Sequence, residues 1–303
     1  MASAYKTARA FRAALEDRLN QLARDQQVDV TRLRRLVGFE RLLARLFAEE
    51  NPPWLLKGGY ACELRLLGKA RGTRDIDLAI PLPAQIAAAD GGQLEAIRER
   101  LQEEVERDLE DWFEFRIGPA MSDLDAAPYG GGRFPVEALL DYRTFARFHL
   151  DVGLGDAVIS PPDWLQGRDL LTFAAIPPAR IAVLPSEQQF AEKIHAYSLP
   201  RGERINNRVK DLVDLVLLIE MGLPDGELVL RALEATFARR HTHALPRVLL
   251  PPPEEWRDSY AALAAECGLL DVSLDAAYAA LSAYWQTLSF STDELVNNAE
   301  PPE

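Results

Sequence analysis

Cysteine is nearly missing from this chain. Cys62 and Cys267 are the two present, they show no C-x-x-C spacing, and so neither a disulfide framework nor a cysteine-ligated zinc site is expected. The four histidines, His149, His195, His241 and His243, form no H-E-x-x-H or related pattern, and they read as surface or packing residues. There is no Walker A lysine loop and no G-x-G-x-x-G, which removes the two commonest phosphate-binding loops. No stretch approaches the ~18 uninterrupted apolar residues of a spanning helix, and the N-terminus carries no signal-peptide core. The expectation is a soluble, cytoplasmic protein with no membrane partner. Basic charge is also short: Lys+Arg 34 against Asp+Glu 47 gives a net charge of −13. That excludes a generally basic surface, so any contact with RNA has to be local. Internal repeats and low-complexity tracts are absent as well.

What remains is an ordinary globular balance, 48% hydrophobic and 27% charged over 303 residues, enough for more than one core. Residues 1–50 read as an N-terminal helical segment, with Leu33, Leu36, Val37, Leu43 and Leu46 as an apolar stripe and arginines on the other face. Those arginines, and the Arg239-Arg240-His241-Thr242-His243 cluster, are either solvated faces or local phosphate contacts; the solvated face is the simpler reading. Pro52-Pro53 ends the segment. Residues 51–180 alternate helix and strand, with a charged helix over 93–110, a strand over 112–117, a flexible turn at Tyr129-Gly130-Gly131-Gly132 and a strand over 134–140. That order suggests a mixed sheet with helices against it. Residues 181–303 read as helical, with helices over 212–221, 227–240 and 273–288, breaks at Pro224 and Pro251-Pro252-Pro253, and a frayed end over 297–303.

The most informative stretch is Lys57-Gly58-Gly59 followed by Arg71-Gly72-Thr73-Arg74-Asp75-Ile76-Asp77-Leu78. In a strand, Asp75 and Asp77 project from one face while Ile76 and Leu78 enter the core. Two hard oxygen donors on a rigid strand suit Mg²⁺, which takes a few carboxylate oxygens together with water and substrate phosphates. Gly58-Gly59 permits a tight turn into a short helix, whose N-terminus could receive a phosphate. An ordinary turn and two solvated aspartates would have the same composition.

These residues resemble the AbiEii/AbiGii group of nucleotidyltransferase-like toxins, a branch of the polymerase-β-type nucleotidyltransferases, over about 35–218. The resemblance implies an α/β fold with a polymerase-β-like mixed sheet, followed by a mainly helical C-terminal domain. It implies a nucleoside triphosphate substrate, Mg²⁺ or Mn²⁺, a tRNA acceptor and a separate cognate antitoxin. In that family the glycine motif and the D-x-D are joined by a third carboxylate from a later strand. Arg143-Thr144-Phe145-Ala146-Arg147-Phe148-His149-Leu150-Asp151-Val152-Gly153 alternates as a half-buried strand would, which makes Asp151 the candidate and Asp156, just beyond, the rival. Asp75, Asp77 and Asp151 are then the expected metal ligands. Lys57, Gly58, Gly59, Thr73 and Arg74 are the expected nucleotide contacts.

A later helical motif fits the same pattern. In Glu187-Gln188-Gln189-Phe190-Ala191-Glu192-Lys193-Ile194-His195 the resemblance assigns Lys193 to the triphosphate. In Arg208-Val209-Lys210-Asp211-Leu212-Val213-Asp214-Leu215 it assigns a functional role to Asp211, while Asp214 reads as helix support. Acidic residues in a first helical turn also suit the helix dipole, so spacing alone does not assign either one. Gly59 stands where the wider superfamily often has serine, and the acidity of the chain sits uneasily with a tRNA acceptor. A protein or small-molecule hydroxyl is the alternative acceptor, and a nucleotide-binding module without turnover is the non-enzymatic alternative.

Overall fold

The computed structural model describes residues 4–288 apart from 67–68, 70, 83, 85–91, 125–126, 203–205 and 223–224. The expected break at Pro224 and the frayed end over 297–303 lie outside the described residues. Two compact units divide the chain, Met1–Pro185 and Ser186–Glu303.

The first unit opens with two helices. In α1 (Ala8–Gln26) the Thr7 hydroxyl accepts from the Ala10 amide at 3.2 Å, and in α2 (Val30–Leu46) Asp29 accepts from the Thr31 amide at 2.7 Å, each satisfying a donor that the helix leaves open. Phe11, Leu15 and Leu19 of α1 and the apolar stripe of α2 enter the core of the α/β unit, so residues 1–50 share that core. A solvated polar face does not extend to Arg41 and Arg45. Both are buried, and their guanidiniums hold Asp111 at 2.6 and 2.7 Å. Burial pushes the Asp111 carboxyl up, but hydrogen bonds and charge from Arg45 and Arg41 outweigh it and leave the group below its ordinary value.

The sheet follows. Its strands are β1 (Leu55–Lys57), β2 (Asp75–Ile80), β3 (Phe113–Ile117), β4 (Ser122–Asp123), β5 (Gly131–Leu140), β6 (Arg143–Leu154), β7 (Asp163–Gln166) and β8 (Arg180–Val183), with α3 (Gly58–Arg65) and α4 (Gln93–Val105) between them. The spatial order among the described residues is β3-β5-β6-β2-β1-β8-β7, and β4 pairs with β5. The β2–β6 and β1–β8 pairs are parallel and the others antiparallel, so the sheet is mixed as expected. Alternation along the strands buries Ile76, Leu78, Leu150, Val152, Phe134 and Val136 in one core with Phe39 of α2 and Ile97 and Leu101 of α4. The opposite positions, Asp75, Asp77, His149, Asp151 and Arg133, are only partly buried, and they form an open polar face.

Several element boundaries shift from expectation: the helix expected over 212–221, for example, starts at Val209. The helix expected over 93–110 stops at Val105 and is not resumed before residue 110, where Glu110 has φ +55° and its amide turns to the Asp108 carboxylate at 2.7 Å. The glycines of the expected flexible turn partly belong to a strand: Gly131 and Gly132 pair with Gly153 and Val152. A Cβ on Gly131 would lie 2.1 Å from the Val152 carbonyl oxygen, so glycine here permits a close backbone approach.

The second unit is helical: α5 (Ser186–Ser198), α6 (Val209–Glu220), α7 (Gly226–Arg240), α8 (Arg257–Cys267) and α9 (Leu274–Thr287). Phe190, Ile194, Leu212, Leu215, Leu233 and Trp285 are buried here. Cys62 and Cys267 are both free and buried. No described helix is long and apolar enough to cross a membrane.

Candidate active site

Strand register brings four charged side chains into one row. Lys57 on β1 pairs with Asp77 on β2, Asp77 lies beside Asp151 on β6, and Asp151 pairs with Arg133 on β5. The row therefore reads positive, negative, negative, positive across the open face. One step along the strands, Asp75 lies beside His149, whose Nδ1 is 3.3 Å from an Asp75 carboxylate oxygen.

Each end of the row is fixed by a specific contact. Arg133 grips Asp151 with both arms of its guanidinium at 2.7 Å and reaches Asp75 at 3.4 Å. The hydrogen bonds to Asp151 come first, and with the charge of the three carboxylates they hold the Arg133 guanidinium above its ordinary value. At the other end the Lys57 ammonium donates to Asp156, whose side chain is 1% exposed. The two rival carboxylates thus have distinct places: Asp151 stands in the row beside Asp77, and Asp156 lies beneath it as the counter-ion of Lys57.

Gly58 begins α3 with φ +66°, and a Cβ there would lie 2.1 Å from the Asp77 Oδ2 atom. Glycine is required on both counts: the left-handed backbone and the approach of the helix start to a carboxylate. Gly59 is similarly tight against the Thr73 hydroxyl, at 2.9 Å from its would-be Cβ. That hydroxyl donates to the Asp75 carbonyl at 3.2 Å, and the Thr73 amide donates to Glu63 at 3.4 Å. Glu63 is buried on α3 and also accepts from Arg168 at 2.7 Å. The loop before Asp75 is thereby tied to the helix that follows Gly58-Gly59. Arg74 is exposed and lies over a groove beside Asp75.

Lys57, Gly58, Gly59, Thr73, Arg74, Asp75, Asp77 and Asp151 thus come together in the first unit. Lys193 and Asp211 belong to the second unit, where they form a cluster of their own. Lys193 is buried, its ammonium 2.6 Å from Asp214 and 3.5 Å from Asp211. Asp214 is fully buried, so its place is that of an ion-pair partner as well as a helix residue.

Sequence reasoning passed over Arg133 and treated His149 as a surface or packing residue. His149 was visible as the residue two before Asp151 on the same strand face. Arg133 had no such signal, since it lies just after a run of glycines that reads as a turn.

A family profile described as the nucleotidyl transferase AbiEii toxin of type IV toxin–antitoxin systems matches residues 41–285. This chain belongs to the AbiEii family. It is accordingly a nucleotidyltransferase toxin of a type IV toxin–antitoxin system, and membership implies an antitoxin partner. Among solved structures the AbiEii chain is similar to MenT4, a nucleotidyltransferase toxin from Mycobacterium tuberculosis H37Rv. The TM-score is 0.61 at 18% identity, covering 94% of this chain and 91% of MenT4, which supports a shared fold. A weaker likeness is to ANT(2")-Ia in complex with adenylyl-2"-tobramycin, with a TM-score of 0.35 at 20% identity over 67% of this chain and 97% of the other. No curated protein sequence matches.

For a divalent cation, the AbiEii site offers carboxylate oxygens on adjacent strands, the donor set that a hard ion takes. No group of three or more His, Cys, Asp or Glu side chains among the described residues is arranged as a ready metal cage. Arg133 grips Asp151 at 2.7 Å and reaches Asp75 only at 3.4 Å, so Asp75 and Asp77, on one face of β2, are the pair that needs least rearrangement to take the ion, with Asp151 adjoining them. Mg²⁺ commonly uses one or two carboxylates with water and substrate phosphates, so the pair suffices once a nucleotide is bound.

Proposed function

We propose that this protein transfers a nucleotide from a nucleoside triphosphate to the 3′ end of an RNA, with tRNA as the acceptor. The observation that carries the reading is the row Lys57, Asp77, Asp151, Arg133, with Asp75 one step along and the backbone of Gly58 against Asp77. It combines cation-binding carboxylates with a helix start able to receive phosphate, as phosphoryl chemistry needs.

The acceptor hydroxyl oxygen attacks the α-phosphorus, the bond to the bridging oxygen breaks, and pyrophosphate leaves. Asp75 and Asp77 would hold the cation. A bound Mg²⁺ or Mn²⁺ supplies charge neutralisation at the triphosphate. Gly58, Gly59 and Thr73 cradle phosphates, and Lys57 adds positive charge from the same row. Asp151 stands beside Asp77 to complete the cation site and take the hydroxyl proton. Within the second unit, Asp214 and Asp211 hold the ammonium of Lys193, the residue that the family resemblance assigns to the triphosphate.

The test is growth arrest on expression in cells without an antitoxin. Wild-type protein is expected to arrest growth, and the Asp75→Ala/Asp77→Ala variant to lose that effect while keeping the wild-type circular dichroism. Undiminished toxicity in the folded double variant would sink the catalytic reading.

A further inference from the structure

A groove of about 680 Å³ opens beside Asp75 on the side of β5 and β6, across β2 from Gly58 and Gly59. Arg35 of α2, Arg74, Arg116 of β3 and Arg147 of β6 line it together with His149. In a chain of net charge −13 this is a local reversal of sign. Arg147 is answered by Glu137 at 2.5 Å, and Arg133, at the groove's inner end, by Asp151. Among the described residues no hydrogen bond or ion pair engages the guanidinium of Arg35, Arg74 or Arg116. Arg35 is the most constrained of the three. Its Nε is buried without a partner, and partial burial followed by the charge of Arg74 pushes its guanidinium below the ordinary value.

The groove's five arginines, Arg35, Arg74, Arg116, Arg133 and Arg147, outnumber its two carboxylates, Asp75 and Glu137, and a polyanion relieves the repulsion of the excess charge. The guanidinium fork matches phosphate oxygens two at a time. The nucleotide's triphosphate already has its place on the other side of β2, at the start of α3. Of the groove's two aromatic rings among the described residues, Phe148 is buried and the part-exposed His149 is turned to the Asp75 carboxylate at 3.3 Å, so the surface offers guanidiniums more than stacking platforms.

We propose that this groove binds the phosphodiester backbone of the acceptor RNA, with Arg35, Arg74 and Arg116 on phosphates and the 3′-terminal ribose led towards Asp75. The delivery of that ribose rests on the nucleotidyl-transfer reading; the anion site itself does not. Recognition here is through the backbone, so it is strongly salt-dependent and tolerant of base sequence.

The experiment uses the full chain and a short, mixed-sequence, fluorescein-labelled RNA, with anisotropy titrations at several salt concentrations. The proteins compared are wild type, Arg35→Ala/Arg116→Ala and Arg35→Lys/Arg116→Lys. The alanine pair is expected to weaken binding by about tenfold or more and to flatten the salt slope by roughly 1.4, about 0.7 per lost single-strand phosphate contact. The lysine pair should recover part of both. Binding of each of the four nucleoside triphosphates with Mg²⁺ should be unchanged in both variants. Equal RNA affinity and slope in wild type and the alanine pair would overturn the proposal, and so would a loss confined to triphosphate binding. If RNA binds through these arginines and no acceptor is ever labelled, the groove stands and the catalytic reading falls. If RNA is labelled with an unchanged KM in the alanine pair, the groove falls and the catalytic reading stands.

Discussion

Gly58 is the residue on which the site's geometry is tightest. Alanine there would hold a left-handed φ of +66° and place its Cβ 2.1 Å from the Asp77 carboxylate, so the carboxylate must move or the helix start must retreat. The left-handed backbone alone costs about 1–2 kcal/mol, a modest loss of thermal stability. The chemical cost should be larger, because a displaced ligand is lost from the transition state. We expect Gly58→Ala to lower kcat/KM by about 100-fold, near 2.7 kcal/mol, as measured by steady-state nucleotide transfer. Arg133 gives a prediction of different form. Its guanidinium and a divalent cation compete for Asp151, so Arg133→Ala should lower the Mg²⁺ concentration for half-maximal activity several-fold. An unchanged Mg²⁺ dependence would contradict that competition.

Among the elements, the α5–α6 pair is pinned by a buried charge. Lys193 and Asp214 meet at 2.6 Å with side-chain exposures of 8% and 0%. Asp214→Ala removes the nearer carboxylate from that ammonium, Asp211 lying at 3.5 Å, and breaking a buried pair in this way costs about 3–5 kcal/mol. Urea unfolding followed by circular dichroism should show the loss, whereas Asp211→Ala should be milder. Here the sequence was only half legible. The strands over 75–80 and 143–153 were visible because apolar and polar residues alternate, and alternation alone puts Asp75, Asp77 and Asp151 on a common type of face. Spacing could not separate Asp211 from Asp214, since residues three apart share a helix face and depth depends on what packs against it. For the same reason Arg41 and Arg45 looked solvated: the buried Asp111 that holds them is far along the chain. Gly131-Gly132 looked like a turn because glycine marks both a bend and a close strand approach, and only the neighbouring strand tells which.

At the scale of the molecule, the resemblance put Lys57, Asp77 and Asp151 at one site, but their order across the sheet and the place of Arg133 at its end were not legible, because register between β1, β2, β5 and β6 is set by the whole sheet. Long-range burial also makes one pH-dependent feature. Glu40 lies 2% exposed in the first unit, where burial pushes its carboxyl from 4.5 up to about 6 against the opposing hydrogen bond from Tyr60. Folding therefore favours the protonated form. Between about pH 4.5 and 6 the folded state binds more protons than the unfolded one, so stability falls as pH rises through that window, by about 2 kcal/mol in all. Denaturant unfolding at intervals across the window should show this slope in wild type and its loss in Glu40→Gln. The acidity of the whole chain bears on the acceptor instead, since a surface of this net charge admits RNA only where arginines gather.

The most direct test of the account is transfer itself: purified protein, Mg²⁺, total tRNA and each of the four α-³²P-labelled nucleoside triphosphates in turn, with the Asp75→Ala/Asp77→Ala variant alongside. The account predicts label on tRNA from at least one nucleotide, absent in the variant. Wild-type protein that leaves tRNA unlabelled with all four, or a variant that labels it as well as wild type does, would contradict it.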